Sequence, residues 1–85
     1  MNSGTIDPGL ERMVLAVHRR NGGTLENVDA RLRLLDPKLK IDSLDLAEIM
    51  VAIEREYGAS PFDAAPPPRT WGDMSEWVVG RRKTR

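Results

Sequence analysis

Leu39–Tyr57, LKIDSLDLAEIMVAIEREY, is the stretch whose periodicity decides the fold. Leu46, Ile49, Met50, Ile53 and Tyr57 recur at i, i+3, i+4, i+7 and i+11, the spacing that keeps one face of an α-helix apolar. That face is expected to point into a core. At about 100° per residue, Leu44, Ala47 and Val51 form a second apolar strip roughly 150–180° from the first, too far round to reach the same core. Asp45, Glu48 and Glu56 flank the second strip on one side and Glu54 on the other, so it reads as a small exposed docking surface in an acidic frame.

The helix is expected to begin at Asp42 or Ser43. Asp42 followed three residues later by Asp45 fits an acidic variant of the capping box, in which side-chain oxygens satisfy amides of the first turn. If Asp42 caps, the Ser43 hydroxyl is free. It then stands at the positive end of the helix dipole, where a phosphate esterified to it is electrostatically favoured. The bland alternative is that Ser43 itself is the cap, since Asp-Ser before an apolar run is common.

Working outward, Asp7 can cap a helix whose first residue is Pro8 and whose inward positions are Leu10, Met13, Val14 and Val17. Arg19, Arg20, Asn21 and Gly22 supply a cationic last turn and a stop. His18 has no cysteine, second histidine or carboxylate at ligand spacing and reads as an ordinary surface histidine. From Gly23 to Ile41 runs a long connection, with one helical turn expected near Glu26 to Leu32; Val28, Leu32, Leu34, Leu35 and Leu39 are the residues to tack it down. After Tyr57, Gly58 ends the central helix, and Pro61 to Ala65 can form one short turn before Pro66, Pro67 and Pro68 forbid continuation. The proline run reads as a rigid connector, with a polyproline ligand as the other option. Thr70 with Asp73 opens a last helix with Trp71, Met74, Trp77 and Val78 inward, and Gly80 is expected to close it. The fold class is therefore all-α, a small four-helix bundle with three main helices and a short third one, and a long loop between the first two. Residues 1–6 read as a flexible lead-in, 7–80 as the domain and 81–85 as a basic tail.

Eighty-five residues make one small domain, too small for a deep catalytic cleft, and a monomer is expected. The chain has no cysteine, which excludes disulfides, thiolate nucleophiles and cysteine metal sites and fits a reducing cytoplasm. No metal site is expected. No apolar run approaches the roughly 20 residues of a membrane span, and no leader pattern is visible, so a soluble cytoplasmic protein is expected. Thirteen basic and thirteen acidic residues balance, but unevenly: acids crowd the central helix, while Arg81, Arg82, Lys83 and Arg85 end the chain. That single basic cluster has no interleaved aromatic residues for base stacking, so a nucleic-acid partner has little support.

Leu39-Lys40-Ile41-Asp42-Ser43-Leu44-Asp45, followed by Glu48, Ile49, Met50, Ile53, Glu54, Glu56 and Tyr57, resembles the central motif and second helix of acyl carrier proteins. The resemblance implies that Ser43 carries a 4'-phosphopantetheine arm, attached by a phosphopantetheinyl transferase, whose thiol holds acyl groups as thioesters. It implies that Leu44, Ala47 and Val51 form a recognition strip, and that Asp42, Asp45, Glu48 and Glu54 meet basic patches on acyl-transferring, condensing or ligating enzymes. Three features depart from the family pattern. Lys40 stands where the family usually has glycine, Arg55 where it often has an acid, and the balanced net charge contrasts with the family's strong acidity.

A serine hydrolase needs a base in reach, an orienting group and an oxyanion hole, usually on a Gly-x-Ser-x-Gly elbow, and none is visible around Ser43. The chain is thus expected to be a non-catalytic carrier, the substrate of a transferase, in fatty-acid, polyketide or related specialised biosynthesis. The alternative is a helical adaptor that docks one protein through the same strip and never carries an arm.

Overall fold

The computed structural model describes residues 6–83 of the chain. Three α-helices, α1 (Pro8–Arg20), α2 (Ser43–Tyr57) and α3 (Trp71–Lys83), follow one another, with a 3₁₀ turn at Pro37–Leu39 in the first connection and another at Pro61–Asp63 in the second. Among the described residues there is no strand, only an isolated antiparallel bridge between Arg33 and Thr70. The protein is all-α.

Each helix starts on a side-chain cap. Asp7 Oδ2 accepts from the Leu10 amide at 3.1 Å, with Pro8 in the first position, where a missing N–H does no harm. At α2 the box is reciprocal: Asp42 Oδ1 accepts from the Asp45 amide at 2.9 Å and Asp45 Oδ2 from the Asp42 amide at 3.2 Å. At α3, Thr70 Oγ1 accepts from the Asp73 amide at 3.1 Å while Asp73 Oδ2 accepts from the Thr70 amide at 3.3 Å. Each such cap contributes about 1 kcal/mol. Gly58, at φ 74°, takes the left-handed conformation that ends α2.

The apolar faces meet as the spacing predicts. Leu10, Val14 and Val17 of α1, Ile49, Met50 and Ile53 of α2, and Trp71, Met74 and Val78 of α3 are buried, with Met13, Leu46, Tyr57 and Trp77 packed at the margin. Tyr57 and Trp77 meet edge to face, ring centroids 6.1 Å apart, so Trp71 is core and Trp77 rim.

Four expectations are corrected. Ile6, assigned to the lead-in, is buried in the core; residues 1–5 lie outside the described residues. The helical turn expected at Glu26 to Leu32 is reduced to a single hydrogen-bonded turn, Leu32 amide to Asp29 O at 3.1 Å, because the rest of the backbone there has other partners. Asp29 Oδ1 accepts from the Arg31 amide at 2.8 Å, the carbonyls of Ala30 and Leu32 accept from the amides of Gly72 and Trp71, and the Leu34 amide donates to Arg69 O. A 3₁₀ turn forms further on, at Pro37–Leu39, where Asp36 caps the Lys38 amide at 2.9 Å. Leu35, expected to tack the loop, is 46% exposed, whereas Val28, Leu34 and Leu39 are buried. The short turn expected within Pro61 to Ala65 does form, as a three-residue 3₁₀ turn at Pro61–Asp63. Finally, Gly80 does not close α3, which runs on to Lys83. Gly80 lacks the positive φ of a capping glycine, and Arg81 lies over the Trp77 ring at 5.2 Å, an i, i+4 contact that favours continuing the helix. Residues 81–83 of the expected tail thus belong to α3, and 84–85 lie outside the described residues.

Candidate functional site

Ser43 is the first residue of α2, and its side chain is exposed. Asp42 carries out the capping, so the Ser43 hydroxyl is not consumed by the helix: among the described residues it has no hydrogen-bond partner. Leu44 beside it is 79% exposed, and nothing apolar covers that end of the helix.

The loop that delivers Ser43 is fastened along its length to α1. Glu11 Oε2 accepts from the Val28 amide at 2.8 Å. His18 Nε2 accepts from the Leu25 amide at 3.0 Å, and Nδ1 stands 2.7 Å from Leu39 O. An amide can only donate and a carbonyl only accept, so the ring proton sits on Nδ1 and both nitrogens are committed. His18 is 1% exposed, a correction to its reading as a surface residue. It is a clamp that joins both ends of the loop, and a buried imidazole with both nitrogens engaged has none to offer Ser43 as a base. Asn21 Nδ2 then donates to Lys40 O at 2.7 Å and to Asp45 Oδ2 at 2.9 Å, holding the last residues before the helix and its first turn together.

Lys40 takes the left-handed conformation, φ 55° and ψ 34°, and is the one non-glycine residue with positive φ among those described. That conformation favours glycine, and a side chain there costs about 1 kcal/mol. Lys40→Gly is accordingly expected to stabilise the domain by about 0–0.6 kcal/mol, net of the extra freedom glycine gives the unfolded chain. Urea denaturation followed by circular dichroism checks this; a lower midpoint for the variant would contradict it.

Leu44 and Val51, at 79% and 48% exposure, stand with the exposed Ala47 on the outer strip of α2. The acids around them are not alike. Glu54 is exposed, and Asp42 is exposed but spends one carboxylate oxygen on the cap. Asp45 and Glu48 are held from α1 by Arg20, whose Nη2 lies 3.0 Å from Asp45 Oδ1 and 3.0 Å from Glu48 Oε1. Asp45 has only 16% of its side chain exposed, and its carboxyl lies below the usual carboxylate range: the Asp42 amide is the leading cause, joined by Asn21 and Arg20. Glu48, followed by Asp45, raises the Arg20 guanidinium in turn. Solvent screens such exposed pairs, so their effect on stability is small and their effect on local charge is the larger consequence.

Beside Ser43, one turn along α2, Leu46 lines an open, mostly apolar groove of about 430 Å³ with Arg33, Leu34, Leu35 and Arg69. Among the described residues no His/Cys/Asp/Glu group is arranged to hold a metal ion, and no helix is long and apolar enough to cross a membrane.

No family model, curated protein or solved structure matches the chain. Function is therefore argued from the residues. The structure brings Asp42, Ser43, Leu44, Asp45, Ala47, Glu48, Val51 and Glu54 onto one helix and adds what sequence reasoning did not assign to the site: His18, Arg20 and Asn21 from the last turn of α1. The only signal for these three was their place in a cationic helix end, which the helix dipole accounts for unaided.

Proposed function

We propose that this chain is a carrier protein that bears a 4'-phosphopantetheine arm on Ser43 and presents acyl or related carboxyl intermediates to partner enzymes, in fatty-acid, polyketide or a related specialised biosynthesis. The observation that carries the reading is the exposed, uncommitted hydroxyl of Ser43 at the N-terminus of α2, with Asp42 taking over the capping role. A second observation supports it. The position where carrier proteins usually have glycine is Lys40, and the backbone there adopts the conformation glycine favours.

The residues fit the group: Ser43 is exposed, its hydroxyl has no hydrogen-bond partner among the described residues, and a phosphate bound there would meet the positive end of α2. When attached, the arm supplies a thiol that holds a carboxyl group as a thioester. The chain's own residues bind, orient and present. Leu44, Ala47 and Val51 offer apolar contact to a partner, and the groove beside Leu46 offers cover to an apolar cargo. With no base beside Ser43, its hydroxyl must be activated by the transferase. In this reading the Pro61–Asp63 turn stands in for the short third helix of a four-helix carrier bundle. Tethering raises the local concentration of cargo at each enzyme without any bond chemistry by the carrier.

Intact mass after incubation with coenzyme A and a broad-specificity phosphopantetheinyl transferase tests the proposal. The wild type is expected to gain one phosphopantetheine and Ser43→Ala none. An unchanged wild-type mass, under conditions that load a control carrier, would favour an adaptor that docks through the strip without an arm.

A further inference from the structure

We propose that Arg20 withholds Asp45 and Glu48 from approaching enzymes, so that Ser43 is met by a partner face with an apolar socket and a rim of mixed charge, rather than by a basic patch. This rests on the reading of Ser43 as the attachment residue and names the kind of partner that reading calls for.

A single guanidinium nitrogen bridges both carboxylates at 3.0 Å. Asp45 is further occupied, since Oδ2 accepts from Asn21 at 2.9 Å and from the Asp42 amide at 3.2 Å. Asp42 in turn accepts from the Asp45 amide at 2.9 Å. Of the five acids beside the strip, Glu54 and Glu56 stand with no hydrogen bond or ion pair to their carboxylates among the described residues. On the same side lie the exposed cations Lys40 and Arg55, the latter one turn beyond Val51 and so in line with the strip. A partner within a Debye length of roughly 8–10 Å therefore senses Arg20, Lys40 and Arg55 against Asp42, Asp45, Glu48, Glu54 and Glu56, three positive charges against five negative. With Arg20 set against two of these acids, the field left to steer a basic enzyme is weaker than the acids alone would give. Contact falls to Leu44 and Val51, with a carboxylate on the partner suited to Arg55 or Lys40 and a base suited to Glu54.

The test measures kcat/KM for Ser43 modification by a phosphopantetheinyl transferase whose docking face is basic, read by intact mass at low and high salt. Wild type, Arg20→Gln and Arg20→Lys are compared, with thermal midpoints to show that all three are folded. Wild type is expected to change less than about twofold between roughly 50 and 300 mM salt. Arg20→Gln, with both acids uncovered, should be modified roughly three to ten times faster at low salt and lose that gain at high salt. Arg20→Lys keeps the charge and should behave as wild type, which a merely structural role for the guanidinium fork would not give. A steep salt dependence in the wild type, or no gain in Arg20→Gln, overturns the proposal while leaving Ser43 as the attachment residue. Absence of modification in all three proteins, beside a control carrier that is loaded, overturns the reading of Ser43 and this inference with it.

Discussion

Gly23→Ala is expected to destabilise the domain by about 3–5 kcal/mol, whereas Gly22→Ala, one position earlier, should cost only about 1 kcal/mol. The two glycines have different reasons to be there. Gly22 sits at φ 91° with open space where a Cβ would go, so its substitution meets backbone strain alone. Gly23 has no such φ, but a Cβ on it would fall inside the His18 imidazole. The ring cannot yield cheaply. It is buried, and moving it breaks its bonds to the Leu25 amide and the Leu39 carbonyl, each of which would then lack a partner. Overpacking of about 1–3 kcal/mol adds to about 1 kcal/mol for each bond lost. Urea denaturation of both single variants checks the contrast. Because the damage runs through one ring, His18→Ala/Gly23→Ala should be barely less stable than His18→Ala alone, a departure from additivity of at least about 1 kcal/mol. Equal effects at Gly22 and Gly23 would show that the imidazole does not fill the space beside Gly23.

That contrast also marks where sequence stops being legible. Gly22-Gly23 reads as one punctuation mark, and as a helix stop it is one; nothing local says that the second glycine makes room for a side chain five residues back. The helix starts were legible because their bonds close within four residues: Asp7 with Leu10, Asp42 with Asp45, Thr70 with Asp73. The two faces of α2 were legible because a period near 3.6 fixes both from one end. His18 was not, since its partners are backbone groups 7 and 21 residues away, and a backbone amide has no signature in the sequence. Arg20 reaches acids 25 and 28 residues on, and a lone arginine at a helix end is already accounted for by the dipole. The helical turn expected before Leu32 is cut short for the same reason: its carbonyls serve the entry to α3, some forty residues away in sequence.

The entry to α3 carries the other large effect. Trp71→Ala is expected to cost about 3–5 kcal/mol, against a total of only about 4–13 kcal/mol for a chain of this length. Trp71 is fully buried, and its indole N–H donates to Leu34 O at 3.3 Å. Around it the backbone joins the long loop to α3: the Trp71 amide donates to Leu32 O at 3.0 Å and the Gly72 amide to Ala30 O at 2.8 Å, while the Leu34 amide donates to Arg69 O at 3.2 Å. Gly72 permits this approach, since a Cβ on it would stand 2.9 Å from Ala30 O. Truncating the indole empties the space beneath this junction and leaves the Leu34 carbonyl without the indole donor, so the loop keeps only its backbone bonds to α3 while α1 still grips it through His18 and Asn21. Trp71→Phe separates the two contributions. It keeps most of the volume, gives up the hydrogen bond, and should cost about 1–2 kcal/mol. In both variants Trp77 remains as a fluorescent reporter at the rim, so urea titrations read the loss directly. If Trp71→Ala costs less than about 1 kcal/mol, the indole is not what secures this junction, and the backbone bonds to Ala30, Leu32 and Arg69 hold the loop on α3 without it.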